Sequence, residues 1–272
     1  MQPIGVFDSG YGGLTILKDL RERLPEYDYL YLGDNARAPY GTQSFDVVYE
    51  FTLQAVKELF SRGCELVIVA CNTASAKALR SIQQNDLPHI APNKRVLGVI
   101  RPSAEIVGDF SSSRTIGVLA TQGTVQSESY VIEINNFAPD CTVYQQACPL
   151  WVPLIENNEF DSHAGREFIR NDVNALLSQN ENIDTIVLGC THYPVLKDYI
   201  ESILPDSVKV VAQGSIVADS LADYLIRHPE MEERCTKKGQ LHFLTSESPE
   251  EFDINASKYL GIDIHSEHII LQ

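Results

Sequence analysis

Two cysteines occupy similar settings in the two halves of the chain. Cys71 follows a β-branched run and begins the sequence Cys-Asn-Thr, whereas Cys190 follows another such run and begins Cys-Thr-His. Each run predicts a strand, and each cysteine precedes a helical pattern, so both thiols are expected at a strand end just before a helix N-terminus. Backbone N–H groups and the helix dipole stabilise a thiolate at such a position. Cys71 and Cys190 are therefore candidate functional thiols.

Two thiols on opposite walls of one cleft are suited to a particular reaction. One thiolate removes a proton from a carbon atom and the other thiol returns a proton to the opposite face, which is racemisation or epimerisation by two bases. The sequence shows no pyridoxal-lysine motif, so the dipoles of the site itself have to stabilise the carbanion. We therefore expect neither a cofactor nor a metal.

The residues after each cysteine carry groups that can hold a carboxylate. Asn72, Thr73 and Thr191 offer amide, hydroxyl and backbone N–H groups near a helix N-terminus. N-capping is an alternative role for these three residues, and the two roles are compatible. His192 is either a histidine satisfied within an interface or an acid/base or hydrogen-bond partner of Cys190.

A glycine-rich turn follows the first predicted strand. Residues 8–13 contain neither Gly-x-Gly-x-x-Gly nor Gly-x-x-x-x-Gly-Lys, so they give little support to nucleotide binding. Asp8 is expected at the ligand edge, where it tunes a thiol or binds an amino group, unless it only satisfies N–H groups of the turn. Glu156 lies near the equivalent edge of the other half, or is an exposed charge. Cys148 lies near the cleft loop, and we favour a structural role for it. The other cysteines interpreted as structural are Cys64, Cys141 and Cys235.

Strand-like runs alternate with helical patterns along the chain. Strands are predicted over residues 4–7, 28–32, 65–70, 96–100, 115–119, 142–146, 185–188, 208–211 and 241–245. Helices are predicted over residues 14–24, 74–85, 127–136, 195–204, 217–227 and 250–260. This alternation predicts an α/β fold with mostly parallel sheets that are buried on both faces. Ligands of such sheets bind beyond the carboxyl ends of the strands, where the motifs above fall.

An approximate internal repeat predicts two lobes. The matched pairs of segments are 3–10 with 115–121, 39–41 with 149–153, and 67–73 with 186–192. Three matches in the same order predict two pseudo-symmetric α/β lobes with the active site in the cleft between them, although a general similarity of βα units is the alternative. The first lobe is predicted to be discontinuous, with residues 1–96 and 208–272, and the second to contain residues 97–207.

The composition narrows the functional classes. The 272 residues include 21 Lys and Arg against 37 Asp and Glu, and the net charge of −16 argues against nucleic acid or an anionic membrane as a partner. The six cysteines form no Cys-x-x-Cys pair, which disfavours a zinc ribbon or a redox dithiol. No signal peptide is visible, and no apolar run reaches the roughly 18 residues that span a bilayer. We therefore expect a cytoplasmic protein with free thiols.

Several motifs closely resemble those of the glutamate racemases, within the aspartate/glutamate racemase superfamily. They are FDSGYGGL at 7–14, APYG at 38–41, ACNTAS at 70–75, GVLAT at 117–121, PLWVPL at 149–154 and LGCTHYP at 188–194. The resemblance covers residues 4 to about 220. It implies a cofactor-independent interconversion of L- and D-glutamate that supplies D-glutamate for peptidoglycan, carried out by a homodimer.

The resemblance also implies roles for individual residues. Cys71 and Cys190 are the implied acid/base thiols. Asp8 is the implied helper of Cys71, while His192 and Glu156 are the implied helpers of Cys190. The residues implied to line the substrate site are Asp8, Ser9, Pro39, Tyr40, Gly41, Asn72, Thr73, Thr121, Thr124, Thr191 and His192.

The chain departs from the family pattern at two positions. Arg101 stands where many members carry Glu, which is expected to alter an interface or a loop. Tyr11 stands where small aliphatic residues are common, which is expected to affect access to the cleft. Because the sequence starts directly before its first strand, activation by a cell-wall precursor is not expected.

Three other functions remain open. One is racemisation of aspartate or another acidic amino acid, although the residues around Asp8 and His192 favour glutamate. Another is a non-catalytic, two-lobed amino-acid-binding protein, in which two symmetric cysteines would have no purpose. The third is a thiol redox or metal protein that uses Cys71, Cys190 and His192.

Overall fold

The strands of the chain form two sheets in a computed structural model, which describes residues 2–272. The strands are β1 (Ile4–Asp8), β2 (Tyr29–Gly33), β3 (Leu66–Val69), β4 (Arg95–Gly98), β5 (Thr115–Ala120), β6 (Thr142–Ala147), β7 (Thr185–Gly189), β8 (Lys209–Val211), β9 (Leu241–Thr245) and β10 (Ser266–His268). Neighbouring strands within these residues all pair in the parallel direction. Parallel pairing requires crossover connections, and the helices supply them.

Helices connect the strands and cover both sheets. They are α1 (Gly13–Arg23), α2 (Phe45–Ser61), α3 (Asn72–Lys77), α4 (Leu79–Ser81), α5 (Leu87–Ile90), α6 (Ile100–Phe110), α7 (Gln122–Gln126), α8 (Ser129–Phe137), α9 (Trp151–Glu156), α10 (His163–Leu177), α11 (Lys197–Ile203), α12 (Gly214–Arg227), α13 (Pro229–Glu232) and α14 (Pro249–Leu260). Shorter segments are the 3-10 turns Asn35–Arg37, Tyr40–Thr42 and Tyr193–Leu196 and the π-helical Ile82–Asp86. None of the helices described over residues 2–272 combines the length and apolar character needed to cross a membrane.

The two sheets share one strand order. The first sheet runs β10-β9-β2-β1-β3-β4 and the second runs β6-β5-β7-β8. Four strands of the first sheet therefore repeat the order of the second, with β1 equivalent to β5 and β3 equivalent to β7. Strands β9 and β10 extend the first sheet beyond β2. This arrangement agrees with the internal repeat, and the parallel sheets with connecting helices confirm the predicted α/β class.

Burial explains why the β-branched runs form central strands. Every residue of β1, β2, β3 and β7 is buried. Strands of this kind need an apolar layer on each face. On one face of the first sheet, Leu17 of α1 and Leu221 of α12 belong to the same apolar cluster. On the other face, Val56 and Leu59 of α2 complete a second cluster.

The chain passes between the two sheets twice. It leaves the first sheet after β4 and enters the second through α6, and it returns after β8 through α12, which packs on α1. Strand β8 pairs with β7 and brings Val210 and Val211 into the buried edge of the second sheet. The observed second sheet therefore differs from the predicted limit at residue 207, because residues 209–211 continue it. The other limits of the two lobes stay a prediction.

The three longest helices that have no counterpart among the predicted elements are α2, α6 and α10, and the short helices α5, α7, α9 and α13 have none either. A capping signal precedes α2, since the Ser44 hydroxyl accepts a hydrogen bond from the Val47 N–H at 3.3 Å. The same signal precedes α10, where the Ser162 hydroxyl accepts from the Gly165 N–H at 3.0 Å. The strand predicted over residues 96–100 ends two residues early, because Ile100 already begins α6.

Candidate active site

One cleft lies where the carboxyl ends of β1, β3, β5 and β7 face each other. Ser9, Thr121 and Cys190 directly follow β1, β5 and β7, and Cys71 lies two residues after the end of β3; all four line the cleft. Its empty space, counted with its opening to solvent, is about 570 Å³. The cleft therefore occupies the position that the sheet topology favours for a ligand.

Most of the predicted site residues meet in this cleft. Those that line it are Ser9, Pro39, Tyr40, Gly41, Cys71, Asn72, Thr73, Thr121, Glu156, Cys190, Thr191 and His192. Asp8 and Thr124 lie behind the lining instead, since neither borders the cleft and both are buried. Thr124 contacts the lining through Thr121, with 3.0 Å between the two hydroxyl oxygens.

Cys71 caps helix α3 with its sulfur. The Ala74 N–H donates to Cys71 Sγ at 3.4 Å, and Ser9 Oγ lies 3.4 Å from the same sulfur. Burial and the negative charge of Asp8 raise the pKa of the Cys71 thiol to about 12, although these two hydrogen bonds oppose the rise. Cys71 is therefore a thiol rather than a thiolate at neutral pH, and is ready to donate a proton.

Asp8 links the two walls of the cleft from behind. Its carboxylate accepts from the Gly10 N–H at 2.9 Å and from the Thr191 hydroxyl at 3.3 Å. Burial raises the pKa of Asp8 above its ordinary value, while the positive charge of His192 acts in the opposite direction. Asp8 therefore acts on Cys71 through its charge and ties the turn after β1 to the loop after β7.

Cys190 has different surroundings from Cys71. It precedes the 3-10 turn Tyr193–Leu196 rather than the first turn of an α-helix, which differs from the predicted helix N-terminus. The imidazole of His192 contacts Cys190, with its Nδ1 3.9 Å from Cys190 Sγ. A side-chain partner thus takes the place of the helix dipole expected from the sequence.

His192 connects Cys190 to Glu156. Its Nε2 lies 3.0 Å from Glu156 Oε1, and its side chain is only 5% exposed. Burial acts to lower the pKa of His192, but the hydrogen bonds to Cys190 and Glu156 outweigh it and raise this pKa to about 10. A protonated imidazole therefore places positive charge beside Cys190 at neutral pH. Among the described residues 2–272, no group of three or more His, Cys, Asp or Glu side chains is arranged to hold a metal ion.

Neutral donors supply most of the remaining polar lining. Thr73 lies in α3, after a strand of the first sheet, and Thr121 follows β5 of the second sheet; their hydroxyl oxygens lie 2.9 Å apart. The Asn72 amide, at the start of α3, donates to Gln213 Oε1 at 2.8 Å and accepts from the Tyr130 hydroxyl at 2.8 Å. No Lys or Arg is among the described lining residues. An anionic ligand would therefore be held by hydroxyl, amide and backbone N–H groups.

The loop that carries Pro39, Tyr40 and Gly41 is anchored by a buried carboxylate. Asp34 is fully buried and accepts hydrogen bonds from the Tyr40 hydroxyl, from Arg37 Nε at 2.7 Å and from the Ser246 hydroxyl at 2.7 Å. These contacts join the cleft loop to the strand β2 and to the loop after β9. Sequence patterns do not predict this anchor.

The two departures from the family pattern lie outside the cleft lining. Tyr11 stacks on Phe252 and Tyr259 of α14, and its hydroxyl donates to Glu247. Arg101 pairs with Glu105 on the exposed face of α6, with 3.0 Å between the charged atoms. The expected effect of Tyr11 on cleft access therefore has no direct contact to support it.

Some lining residues were not predicted. Gln122, Val152 and Cys148 border the cleft, although the sequence favours a structural role for Cys148. A usable signal was present, because Cys148 directly precedes the segment 149–153 that matches the first-half loop in the internal repeat. Its thiol is buried and donates to the Gln146 carbonyl oxygen at 3.6 Å.

Comparisons with known proteins agree with this geometry. The Asp/Glu/Hydantoin racemase family model matches residues 14–221. The glutamate racemase of Roseobacter denitrificans is 42% identical over 267 residues, covering 94% of this chain and 96% of that protein. The crystal structure of glutamate racemase isoform RacE1 from Bacillus anthracis superposes with a TM-score of 0.89 at 31% identity, covering 99% of this chain and 98% of that one.

A second solved structure contains a ligand. The glutamate racemase of Francisella tularensis, in complex with D-glutamate, superposes with a TM-score of 0.86 at 33% identity, covering 100% of this chain and 98% of that chain. These matches confirm the resemblance that the motifs predict and the prediction of a racemase-type isomerase. The chain belongs to the Asp/Glu/hydantoin racemase family.

Proposed function

We propose that this protein interconverts L- and D-glutamate by proton transfer between two cysteines and the α-carbon. One observation carries the proposal: Cys71 and Cys190 follow the equivalent strands β3 and β7 and line one cleft. Relatives that are named glutamate racemase, over nearly the full length of the chain, support glutamate as the substrate.

The two thiols divide the reaction between them. The thiolate of one cysteine takes the α-proton, the electron pair stays on the α-carbon, and the thiol of the other cysteine returns a proton to the opposite face. The high pKa of Cys71, about 12, suits it to begin as the proton donor. The imidazole of His192, which is protonated at neutral pH, lies beside Cys190, and we assign to that cysteine the role of the base that begins the reaction. After one turnover the two protonation states are exchanged, and the reverse reaction begins from that state.

The lining also fits a dicarboxylic substrate. Ser9, Thr73, Thr121 and Thr191 offer hydroxyl groups, and Asn72 offers an amide. Such fixed dipoles in a mostly buried site stabilise both the carboxylates and the charge that develops at the α-carbon. The site therefore supplies electrostatic stabilisation through this chain's own groups.

The test is α-hydrogen exchange in deuterated water without an added cofactor. We expect the protein to incorporate deuterium into both enantiomers of glutamate and to interconvert them, with little activity on aspartate measured side by side. Cys71→Ala and Cys190→Ala should each abolish interconversion. Cys141→Ala is the matched control, because Cys141 is partly buried in the second sheet region and does not line the cleft.

Each alternative function has its own result in this assay. Full interconversion by Cys71→Ala or Cys190→Ala contradicts the two-thiol mechanism. Faster exchange with aspartate than with glutamate would identify aspartate as the substrate. Binding of glutamate without any exchange identifies a non-catalytic binding protein, and activity lost with a chelator indicates a metal site.

The wider biological role follows from the same proposal. A glutamate racemase supplies D-glutamate, so the expected destination is peptidoglycan, and the expected location is the cytoplasm. The homodimer implied by the resemblance also stays a prediction, which the mass of the protein in solution will decide.

A further inference from the structure

Gln213 is a buried amide at the junction of the two sheets. It is 2% exposed and lies between β8 and α12, where the chain returns to the first sheet. Its Nε2 donates to the Val99 carbonyl oxygen at 3.0 Å and to the Ser103 hydroxyl at 2.9 Å. Val99 lies between β4 and α6, on the outward passage of the chain. Gln213 therefore joins the two passages between the sheets.

The orientation of the Gln213 amide is determined by its partners. A backbone carbonyl oxygen only accepts hydrogen bonds, so the atom of Gln213 that faces Val99 has to be the nitrogen. The amide oxygen of Gln213 then faces Asn72, and only the nitrogen of Asn72 can donate to it, over 2.8 Å. On its other side, Asn72 Oδ1 accepts from the Tyr130 hydroxyl at 2.8 Å. The backbone acceptor at Val99 thus dictates the direction of two successive amides.

This relay leaves one donor of Asn72 uncommitted. The side-chain nitrogen of Asn72 carries two hydrogens, of which one goes to Gln213. Asn72 lines the cleft beside Cys71. A reversed amide would offer an oxygen in this place, and an oxygen repels a carboxylate. The direction of the amide therefore matters for an acidic substrate.

We propose that Gln213 is a positioning residue, which holds the Asn72 amide so that an N–H group faces the carboxylate of the substrate. The proposal rests on the proposed function only for the identity of that substrate, glutamate. Gln213 does not border the cleft, so its effect on the substrate passes through Asn72.

Two variants of similar size separate this role from simple packing. Gln213→Met removes the acceptor for Asn72, and we expect kcat/KM for glutamate to fall about tenfold or more, mainly through a higher KM. Gln213→Glu keeps an oxygen towards Asn72, and its protonated form can still donate to Val99. We expect this variant to recover most of the lost affinity, within about threefold of the unaltered protein.

The matched control is Ser103→Ala, which removes one partner of Gln213 and leaves its contacts with Val99 and Asn72. We expect its KM to stay within about twofold of that of the unaltered protein. Urea unfolding of all three variants reports the general effect of each change on stability. A Gln213→Met protein with an unchanged KM, or a Gln213→Glu protein as impaired as Gln213→Met, overturns the proposal.

Failure of the proposed function gives a different result. If the unaltered protein does not exchange the α-hydrogen of glutamate, the racemase proposal fails. Calorimetric titration of glutamate into the same variants then still decides the role of Gln213. Weaker binding by Gln213→Met with recovery by Gln213→Glu supports it, and equal binding by all variants overturns it.

Discussion

His192 Nε2 lies 3.0 Å from Glu156 Oε1, and this contact joins the loop after β7 to the last residue of α9. The Glu156 side chain is 26% exposed, so the pair lies partly at the mouth of the cleft. Burial alone would lower the pKa of His192, and the partners Cys190 and Glu156 reverse this effect. The charge state of the imidazole therefore depends on a carboxylate at the entrance.

Glu156→Gln should move the alkaline limit of activity to lower pH. The pKa of His192 is raised to about 10, so the imidazole is protonated below that pH and loses its proton as the pH rises through it. Removing the carboxylate lowers this pKa, and we expect the falling limb of kcat/KM to move about one pH unit or more downwards. The measurement is the pH profile of kcat/KM for glutamate.

Glu159→Gln is the control for this change, because it removes the same charge from an exposed position three residues further on. Its pH profile should match that of the unaltered protein. Ionisation of the substrate glutamate affects every protein equally, so it does not alter the comparison. An unchanged profile in Glu156→Gln would show that His192 protonation does not limit the reaction.

Ser9→Ala should weaken the step in which Cys71 acts as base. The hydroxyl of Ser9 lies 3.4 Å from Cys71 Sγ and opposes the rise of its pKa, so the variant has a still higher Cys71 pKa and a rarer thiolate. We expect kcat/KM to fall about tenfold. The α-deuterium isotope effect should rise for the enantiomer whose hydrogen Cys71 removes and fall for the other one. Equal changes for both enantiomers would contradict a specific effect on Cys71.

Gly12→Ala should reduce activity by forcing apart two elements of the site. An added Cβ at Gly12 would overlap Thr191 Oγ1 and His192 Nδ1. The backbone at Gly12 has φ −57°, which alanine adopts readily, so the overlap is the only cost. Displacement of the imidazole by about 1 Å can lower kcat/KM by about 100-fold.

Gly10→Ala is the matched control for this substitution. The nearest atom to an added Cβ there is Glu156 Oε1 at 3.5 Å, an ordinary contact. We expect Gly10→Ala to retain activity within about threefold, because the added methyl group has room and the φ of Gly10 is not positive. Similar losses in both variants would mean that the turn, and not the overlap, is responsible.

Asp34→Ala should destabilise the fold more than a surface substitution does. The variant removes a buried carboxylate and leaves Arg37, with a side chain only 22% exposed, without its charged partner. Loss of one member of a buried pair costs about 3–5 kcal/mol of unfolding free energy. Urea unfolding measures the change, and the exposed Asp206→Ala is its control. A difference below about 1 kcal/mol would contradict the anchoring role of Asp34.

The strands and the two thiols could be predicted from local sequence. Central strands of a parallel sheet need apolar residues on both faces, so unbroken β-branched runs before Cys71 and Cys190 identify β3 and β7. The internal repeat then predicts that these strands are equivalent, as the sheet order shows. Ser44 also indicates the start of helix α2, although no helix is predicted there.

The contacts that position the site could not be predicted from local sequence. Ser246 contacts Asp34 across 212 positions, and Gln213 contacts Asn72 across 141 positions. Hydrophobic periodicity reports which face of an element is buried, and carries no information on which polar groups meet there. The same limit applies to Cys190, where the expected helix N-terminus is a 3-10 turn and the neighbouring charge comes from His192.

Thermodynamics limits what the unequal surroundings of Cys71 and Cys190 can achieve in the proposed reaction. The two enantiomers of glutamate have equal free energies in water, so their equilibrium constant is one, and kcat/KM must be identical in both directions. The carboxylate behind one thiol and the imidazole beside the other can therefore give the two enantiomers different kcat and KM values. The ratio kcat/KM nevertheless stays the same for both. The asymmetric cleft cannot by itself drive the conversion towards one enantiomer. Net flow towards D-glutamate has to come from a later reaction that consumes it.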